Sequence, residues 1–160
     1  MNISRLKNFL AIIASLPMLG LSGSALAETQ IFPFGHPGTV AKVHRTVKVT
    51  ALDTMRFIPD LIHVQAGETV RFIVTNKGQV VHEFILGDHQ EQIEHEKAMQ
   101  NMKSIVMPDE ANGITIRPTQ TKLLIWTFGS AGEVEFACHQ LGHYTAGMVG
   151  KISVKPIDPR

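Results

Sequence analysis

The amino-acid sequence predicts an all-β protein, a sandwich of two sheets with one short helical insertion. Several segments alternate apolar and polar residues with a period of two, which is typical of strands that bury one face. Turn-forming runs such as 76–78 and 130–132 separate these segments, and frequent turns between short strands favour a sandwich or barrel. The predicted strands are 46–50, 61–64, 69–74, 123–128 and 149–154.

The first 27 residues have the pattern of a secretory signal peptide. Arg5 and Lys7 precede an apolar stretch over residues 9–21, and small residues follow up to Ala27. Because the stretch is shorter than the roughly 20 residues of a spanning helix, we expect cleavage after Ala27 rather than anchoring. The sequence therefore predicts export to the periplasm, removal of residues 1–27 and no membrane span in the mature chain.

The charge balance and the length limit the classes of partner and architecture. The full chain has 15 basic and 14 acidic residues, and loss of Arg5 and Lys7 changes the formal charge from +1 to −1. A nearly neutral protein is expected to bind neither nucleic acid nor an anionic membrane. The remaining chain suits one domain, so we predict a monomer with an arm over 28–44 and a domain over 45–157.

Cys138 is the only cysteine of the chain. Exported proteins usually pair their cysteines, so an unpaired one needs another reason, and a buried thiol that acts as a small hydrophobe is the alternative. Four residues separate Cys138 from His143, and four more separate His143 from Met148. His82 lies on the core-facing side of an apolar run. Two imidazoles, a thiolate and a thioether are the ligands of a blue-copper electron-transfer site.

The local sequence predicts how these ligands meet. Residues 133–138 form a strand that ends with the thiol pointing inward, and Gly142 and Gly147 allow sharp turns directly before His143 and Met148. A thioether is a poor ligand for zinc, whereas Cys, two His and a weak Met suit both oxidation states of copper. We therefore expect one copper ion per chain and no catalytic residue.

The copper loop resembles that of the cupredoxins, the plastocyanin and azurin superfamily, over about residues 45–154. This resemblance implies a Greek-key β-sandwich that binds one type 1 copper through His82, Cys138, His143 and Met148 and that transfers single electrons without being an enzyme. The residues that carry it are Cys138, His143, Met148, Val149, Gly150, Lys151 and Ile152 in the loop, and Phe57, Pro59, Ile62, Val64, Gly67, Thr69, Val70, Phe72 and Asn76 in the early strands.

Within that superfamily the chain is most similar to the periplasmic copper-resistance cupredoxins. The features concerned are 55–57, 67–72 and especially the pairs His82-Glu83 and Leu86-Gly87. This resemblance implies a role in copper tolerance as well as, or instead of, electron transfer. Glu83 stands where azurin-like members often have Asn, so we expect different hydrogen bonding around the thiolate.

One segment departs from the strand pattern. Residues 89–102 are mainly helix formers and a polar loop follows, so we predict a helical insertion over about 89–112. On a helix His95, Met99 and Met102 share one face, where they could form a second copper site. The alternative is that the methionines only pack the helix onto the sandwich.

Three functions remain open from the sequence. The first is one-electron transfer or copper handling, with a redox protein docking near His143 and Tyr144, beside which Leu141 lies; packing within the loop is the alternative for these neighbours. The second is a copper carrier or sequestering protein without a redox partner. The third is an accessory domain of a copper oxidase, suggested by His139 next to Cys138, although we expect His139 to be an outer-shell or surface residue.

Overall fold

A computed structural model of the chain describes residues 30–100 and 107–157. The predicted signal peptide and Met102 lie outside these residues. Within them the chain forms ten strands, one α-helix and a 3₁₀ turn at Val40–Lys42. The elements are β1 (Gly35–Pro37), β2 (Arg45–Leu52), β3 (Arg56–Ile58), β4 (Leu61–Gln65), β5 (Thr69–Asn76), β6 (His82–Gly87), α1 (His89–Gln100), β7 (Gly113–Ile116), β8 (Thr121–Phe128), β9 (Gly132–Ala137) and β10 (Val149–Lys155).

The strands form two five-stranded sheets, which confirms the predicted sandwich. The first sheet has the order β1-β8-β5-β2-β3, and the second has the order β4-β10-β9-β6-β7. Strands β2 and β5 pair in parallel, as do β4 and β10, and the other neighbours are antiparallel. Strands far apart in sequence thus become neighbours, among them β6 and β9, which bring His82 and Cys138 to one end of the second sheet.

The core lies between the sheets and follows the alternating pattern of the strands. In β5 the side chains of Val70, Phe72 and Val74 are fully buried, whereas those between them are partly exposed. Trp126 in β8 is also fully buried, as expected for a large aromatic residue in an apolar strand, and it stacks on Phe34 of the N-terminal segment. Strand β1 pairs with β8 at the edge of the first sheet, so this segment lies on the sandwich.

Helix α1 covers the outer face of β6 and β9. Asp88 caps the helix, because its side chain accepts a hydrogen bond from the Glu91 N–H at 2.9 Å. All six residues of β6 are buried, since Phe84 and Leu86 face the core while Glu83 and Ile85 lie on the face that α1 contacts. The helix begins at the predicted residue, His89. Its polar side chains Gln92 and Glu96 lie next to the residues that follow β9.

None of the helices in the described part of the chain is long and apolar enough to cross a membrane.

Candidate metal centre

The sulfur of Cys138 and two imidazole nitrogens converge at one end of the second sheet. Cys138 directly follows β9, and His82 begins the neighbouring strand β6. The Cys138 Sγ lies 3.9 Å from His82 Nδ1 and 3.3 Å from His143 Nδ1. The three ligand atoms all lie within 4.8 Å of one another, and His82 and Cys138 are fully buried. One ion in contact with all three is therefore sterically feasible.

Met148 reaches the same end of the sheet because the loop closes on itself. The Cys138 N–H donates to the Met148 carbonyl at 3.1 Å, and the Met148 N–H donates to the His143 carbonyl at 3.0 Å. Gly142 and Gly147 adopt φ values of 84° and 89°, so both turns use the left-handed region that glycine favours. The Met148 side chain is fully buried. Backbone bonds thus hold its main chain beside that of Cys138.

The thiol is buried and weakly acidic without a metal. Burial raises the pKa of Cys138 to about 12, although the Glu83 N–H, which donates to Sγ at 3.2 Å, opposes this. Burial also lowers the pKa of His143 and of His82 and favours neutral imidazoles. Neutral imidazoles and a thiol that a metal can deprotonate match the chemistry of copper ligands. The donor set therefore fits copper.

Glu83 forms hydrogen bonds with the two residues that follow Cys138. Its buried carboxylate accepts the His139 N–H at 3.2 Å and the Gln140 side-chain amide at 2.8 Å, while its own N–H donates to the Cys138 sulfur. Burial raises the pKa of Glu83, and the two donors oppose that shift. The hydrogen bond to the sulfur thus comes from the Glu83 backbone, while the Glu83 carboxylate holds the two residues directly after Cys138.

His139 is buried, so of the two expected positions, outer shell or surface, the surface is excluded. Its Nε2 lies 2.7 Å from Gln92 Oε1 and its Nδ1 lies 2.9 Å from Glu96 Oε2, both on α1. The Gln92 amide nitrogen donates to the carbonyls of Ile85 and Glu135, so its oxygen must face His139. Burial lowers the pKa of His139 to about 4, although Glu96 opposes this shift. Helix α1 thus covers the imidazole that follows Cys138.

Sequence reasoning missed Gln92 and Glu96 as neighbours of the site. They lie four residues apart on one face of α1, and that spacing was the available signal. Asp53 was missed too, although its carboxylate lies 3.0 Å from His82 Nε2. It occupies a turn 29 residues before His82, where no local pattern distinguishes it from any other turn aspartate.

The two neighbours of His143 in the loop differ in exposure. The Leu141 side chain is 84% exposed, whereas Tyr144 is partly buried and stacks on His139 with ring centroids 4.7 Å apart. His143 itself is partly buried. An exposed apolar side chain therefore lies two residues from the imidazole, and Tyr144 packs against the loop.

The residues of the predicted second site are only partly described. The His95 ring lies 4.8 Å from that of His139, and its Nε2 is buried without a hydrogen-bond partner among the described residues. Met99 is buried at 9% exposure, which also agrees with simple packing. The second copper site stays a prediction.

The fold and the donor set together define a small copper protein. The chain belongs to the copper-binding proteins of the plastocyanin/azurin family, whose sequence profile matches residues 43–155. Copper is accordingly its cofactor.

Its relatives include two proteins named copper-resistant cuproprotein CopI. The chain is 42% identical to the one from Rubrivivax gelatinosus over 123 residues, which cover 77% of this chain and 74% of that protein. It is 35% identical to the one from Pseudomonas aeruginosa over 174 aligned positions, which cover 89% and 96% of the two chains.

Solved structures of auracyanins share the fold. Auracyanin B has a TM-score of 0.63 and 22% identity, and the match covers 81% of this chain and all of that chain. The dithionite-reduced auracyanin of Roseiflexus castenholzii has a TM-score of 0.61 and 18% identity, with 71% and 99% covered. The architecture is therefore that of a cupredoxin.

Proposed function

We propose that this protein is a periplasmic type 1 copper protein that serves copper tolerance by exchanging single electrons at one site. The proposed ligands are His82, Cys138, His143 and Met148. The observation that carries the proposal is the buried thiol that faces two imidazole Nδ1 atoms within 4.8 Å. This set matches the ligands of blue-copper centres, which are two histidines, one thiolate and a weakly bound thioether.

The chain's own residues would keep the site rigid during electron exchange. Bound copper supplies a one-electron couple between Cu(I) and Cu(II). His82 and Cys138 begin and follow paired strands, so the sheet fixes their separation. The hydrogen bond between the Cys138 N–H and the Met148 carbonyl closes the loop. A donor set that moves little between oxidation states requires little reorganisation, which favours fast electron exchange.

The names of the relatives and the predicted leader support the tolerance role and the compartment. Two relatives at 42% and 35% identity are named copper-resistant cuproproteins. An N-terminal leader over residues 1–27 and an unpaired cysteine kept as a ligand agree with an exported metalloprotein. Cell fractionation should recover the protein in the periplasm with Glu28 as its first residue, and recovery only in the cytoplasm with the leader intact would contradict the compartment.

A redox protein would dock at the end of the sandwich that carries His143. Leu141 is exposed there beside the partly buried imidazole, and a small apolar patch suits a transient interface. Leu141→Glu should slow electron exchange with a partner while it leaves the copper spectrum unchanged. Sedimentation should give a monomer, since we propose one site per chain without a second subunit.

A carrier without a redox partner is the second candidate function. The carrier function is favoured by the His95 Nε2, which is buried without a hydrogen-bond partner among the described residues and could therefore bind Cu(I). An accessory role in a copper oxidase has less support. Among the described residues, His82, Cys138 and His143 form the only group of three or more His, Cys, Asp or Glu side chains arranged to hold a metal.

Visible absorption and EPR spectra during Cu(II) titration test the proposed function. We expect an intense thiolate-to-copper band that saturates at one equivalent and is absent in Cys138→Ser. His63→Gln is the matched control, because His63 is exposed on β4. Copper bound only in an ordinary tetragonal form would contradict the type 1 site.

Growth and electron-exchange measurements separate the two candidate functions. A strain that lacks the protein should regain growth on copper with the wild type and with His63→Gln, but not with Cys138→Ser. Fast self-exchange, measured from NMR line broadening in mixtures of Cu(I) and Cu(II) protein, supports the redox role. Slow exchange together with uptake of a second Cu(I) supports the carrier.

A further inference from the structure

The carboxylate of Asp53 contacts the far side of the buried His82 ring. Its Oδ1 lies 3.0 Å from His82 Nε2, and its Oδ2 accepts the Gln79 N–H at 2.6 Å. We propose that Asp53 is a positioning residue that fixes His82 as the Nε2–H tautomer, aims Nδ1 at Cys138 and favours oxidised copper. The inference about copper rests on the proposed function, whereas the inference about the tautomer does not.

The donor and acceptor capacities of Asp53 and His82 determine the tautomer of His82. An ionised carboxylate only accepts hydrogen bonds, so the His82 nitrogen that faces Asp53 must carry a proton. A neutral imidazole has one N–H, which leaves the lone pair on His82 Nδ1. That atom lies 3.9 Å from the Cys138 sulfur. The nitrogen on the side of the proposed metal position is therefore the one that can donate electrons.

The loop before β6 holds the carboxylate in place. The Gln79 N–H is the largest of the interactions that lower the pKa of Asp53, and the His82 ring also contributes. A Cβ built on Gly78 would lie 1.7 Å from Asp53 Oδ1, so the chain passes directly against the carboxylate at that residue. Asn76 holds the backbone of this loop in place, because its side-chain oxygen accepts the Gly78 N–H and its side-chain nitrogen donates to the Val80 and Ile116 carbonyls. The position of Asp53 is thus part of the fold.

The charge of Asp53 should favour Cu(II) over Cu(I). The carboxylate lies one imidazole ring away from the proposed metal position, and a hydrogen-bonded carboxylate makes its histidine a stronger donor. Removal of such an outer partner typically costs 10- to 100-fold in metal affinity. The Asp53 side chain is 38% exposed, so solvent screens it and we expect an effect of about tenfold.

The test combines the wild type, Asp53→Asn and a charge control. Asn has the same shape but only one acceptor oxygen. When that oxygen accepts from His82, the Asn NH2 group faces the Gln79 N–H, and when it accepts from Gln79, the NH2 group faces His82. Glu133→Gln also removes one exposed, ion-paired carboxylate. It lies five residues before Cys138 in β9, or about 16 Å along the strand. The control therefore changes net charge equally without touching the site.

The first measurement is the ¹⁵N NMR spectrum of the imidazoles in the metal-free proteins. We expect the Nε2–H tautomer of His82 in the wild type and in Glu133→Gln, and a mixture of tautomers in Asp53→Asn. An Nδ1–H tautomer in the wild type would overturn the proposal without any variant. This measurement needs no copper, so its failure is distinct from failure of the proposed function.

The second measurement is the affinity for Cu(II) and Cu(I), together with the reduction potential. Asp53→Asn should bind Cu(II) about tenfold more weakly and change Cu(I) affinity less. A tenfold change in the ratio of the two affinities raises a one-electron potential by about 59 mV. Glu133→Gln should stay within about twofold of the wild type. Equal potentials for the wild type and Asp53→Asn would overturn the charge effect.

Discussion

Replacement of Gln92 by alanine should destabilise the metal-free protein far more than a typical helix substitution. The side chain is fully buried between α1 and the second sheet and makes three hydrogen bonds. It donates to the Ile85 and Glu135 carbonyls at 3.0 and 3.3 Å and accepts from His139 Nε2 at 2.7 Å. Alanine would remove all three bonds, to the buried Ile85 carbonyl, to the partly buried Glu135 carbonyl and from the buried His139 imidazole.

The magnitude follows from the number of hydrogen bonds lost. A typical hydrogen bond contributes about 0.5–1.5 kcal/mol net. We take about 1 kcal/mol for each of the three bonds and expect a loss of about 3 kcal/mol in the free energy of unfolding. For a domain of this size that corresponds to a fall in Tm of about 10 °C.

The control is the same substitution on the exposed face of the same helix. The Gln90 side chain is exposed and bonds only to Glu94 among the described residues, so Gln90→Ala should change stability by less than about 0.5 kcal/mol. Urea unfolding of both variants with copper chelated, followed by circular dichroism, measures the difference. If Gln92→Ala unfolds at the same urea concentration as Gln90→Ala, the hydrogen-bond network does not hold α1 on the sandwich.

Three further predictions concern the core, the second site and the metal. Gly150→Ala should destabilise the protein by about 2 kcal/mol in urea unfolding, because the new Cβ would lie 2.1 Å from the Phe136 ring, whereas Gly132→Ala meets nothing within 4 Å and should be nearly neutral. If a second copper site exists, Cu(I) titration should give two equivalents for the wild type and one for the volume-conserving Met99→Leu; one equivalent for both would reject the second site. Chelation of copper should lower the wild-type Tm, by an amount equivalent to about 4 kcal/mol when free copper is a thousandfold above Kd, and should leave that of Cys138→Ser unchanged.

Much of the fold follows from the sequence because its longer strands alternate regularly. The six predicted strands overlap β2, β4, β5, β8, β9 and β10, and α1 begins at the predicted residue. Strands β1, β3 and β7 have only three or four residues, which is too short for a period of two to be recognised. Their pairing depends on the neighbours that the sandwich provides.

The candidate site was predictable only where its residues are close in sequence. The loop from Cys138 to Met148 carries three candidate ligands, and the glycines within it indicated its turns. The position of His139 was not predictable, because α1 buries it through Gln92 and Glu96, and the docking of a helix on a sheet has no local signature. The same holds for Asp53, which reaches His82 only after β2 and β6 are in place.

The burial of Cys138 also affects the protein before it meets copper. A thiol reacts with peroxides and disulfides as the thiolate, and burial, which raises the pKa of Cys138 to about 12, lowers the thiolate fraction at neutral pH. The fully buried sulfur is also shielded from solution. We therefore expect the burial of Cys138 to protect the thiol of the metal-free protein from oxidation before copper binds.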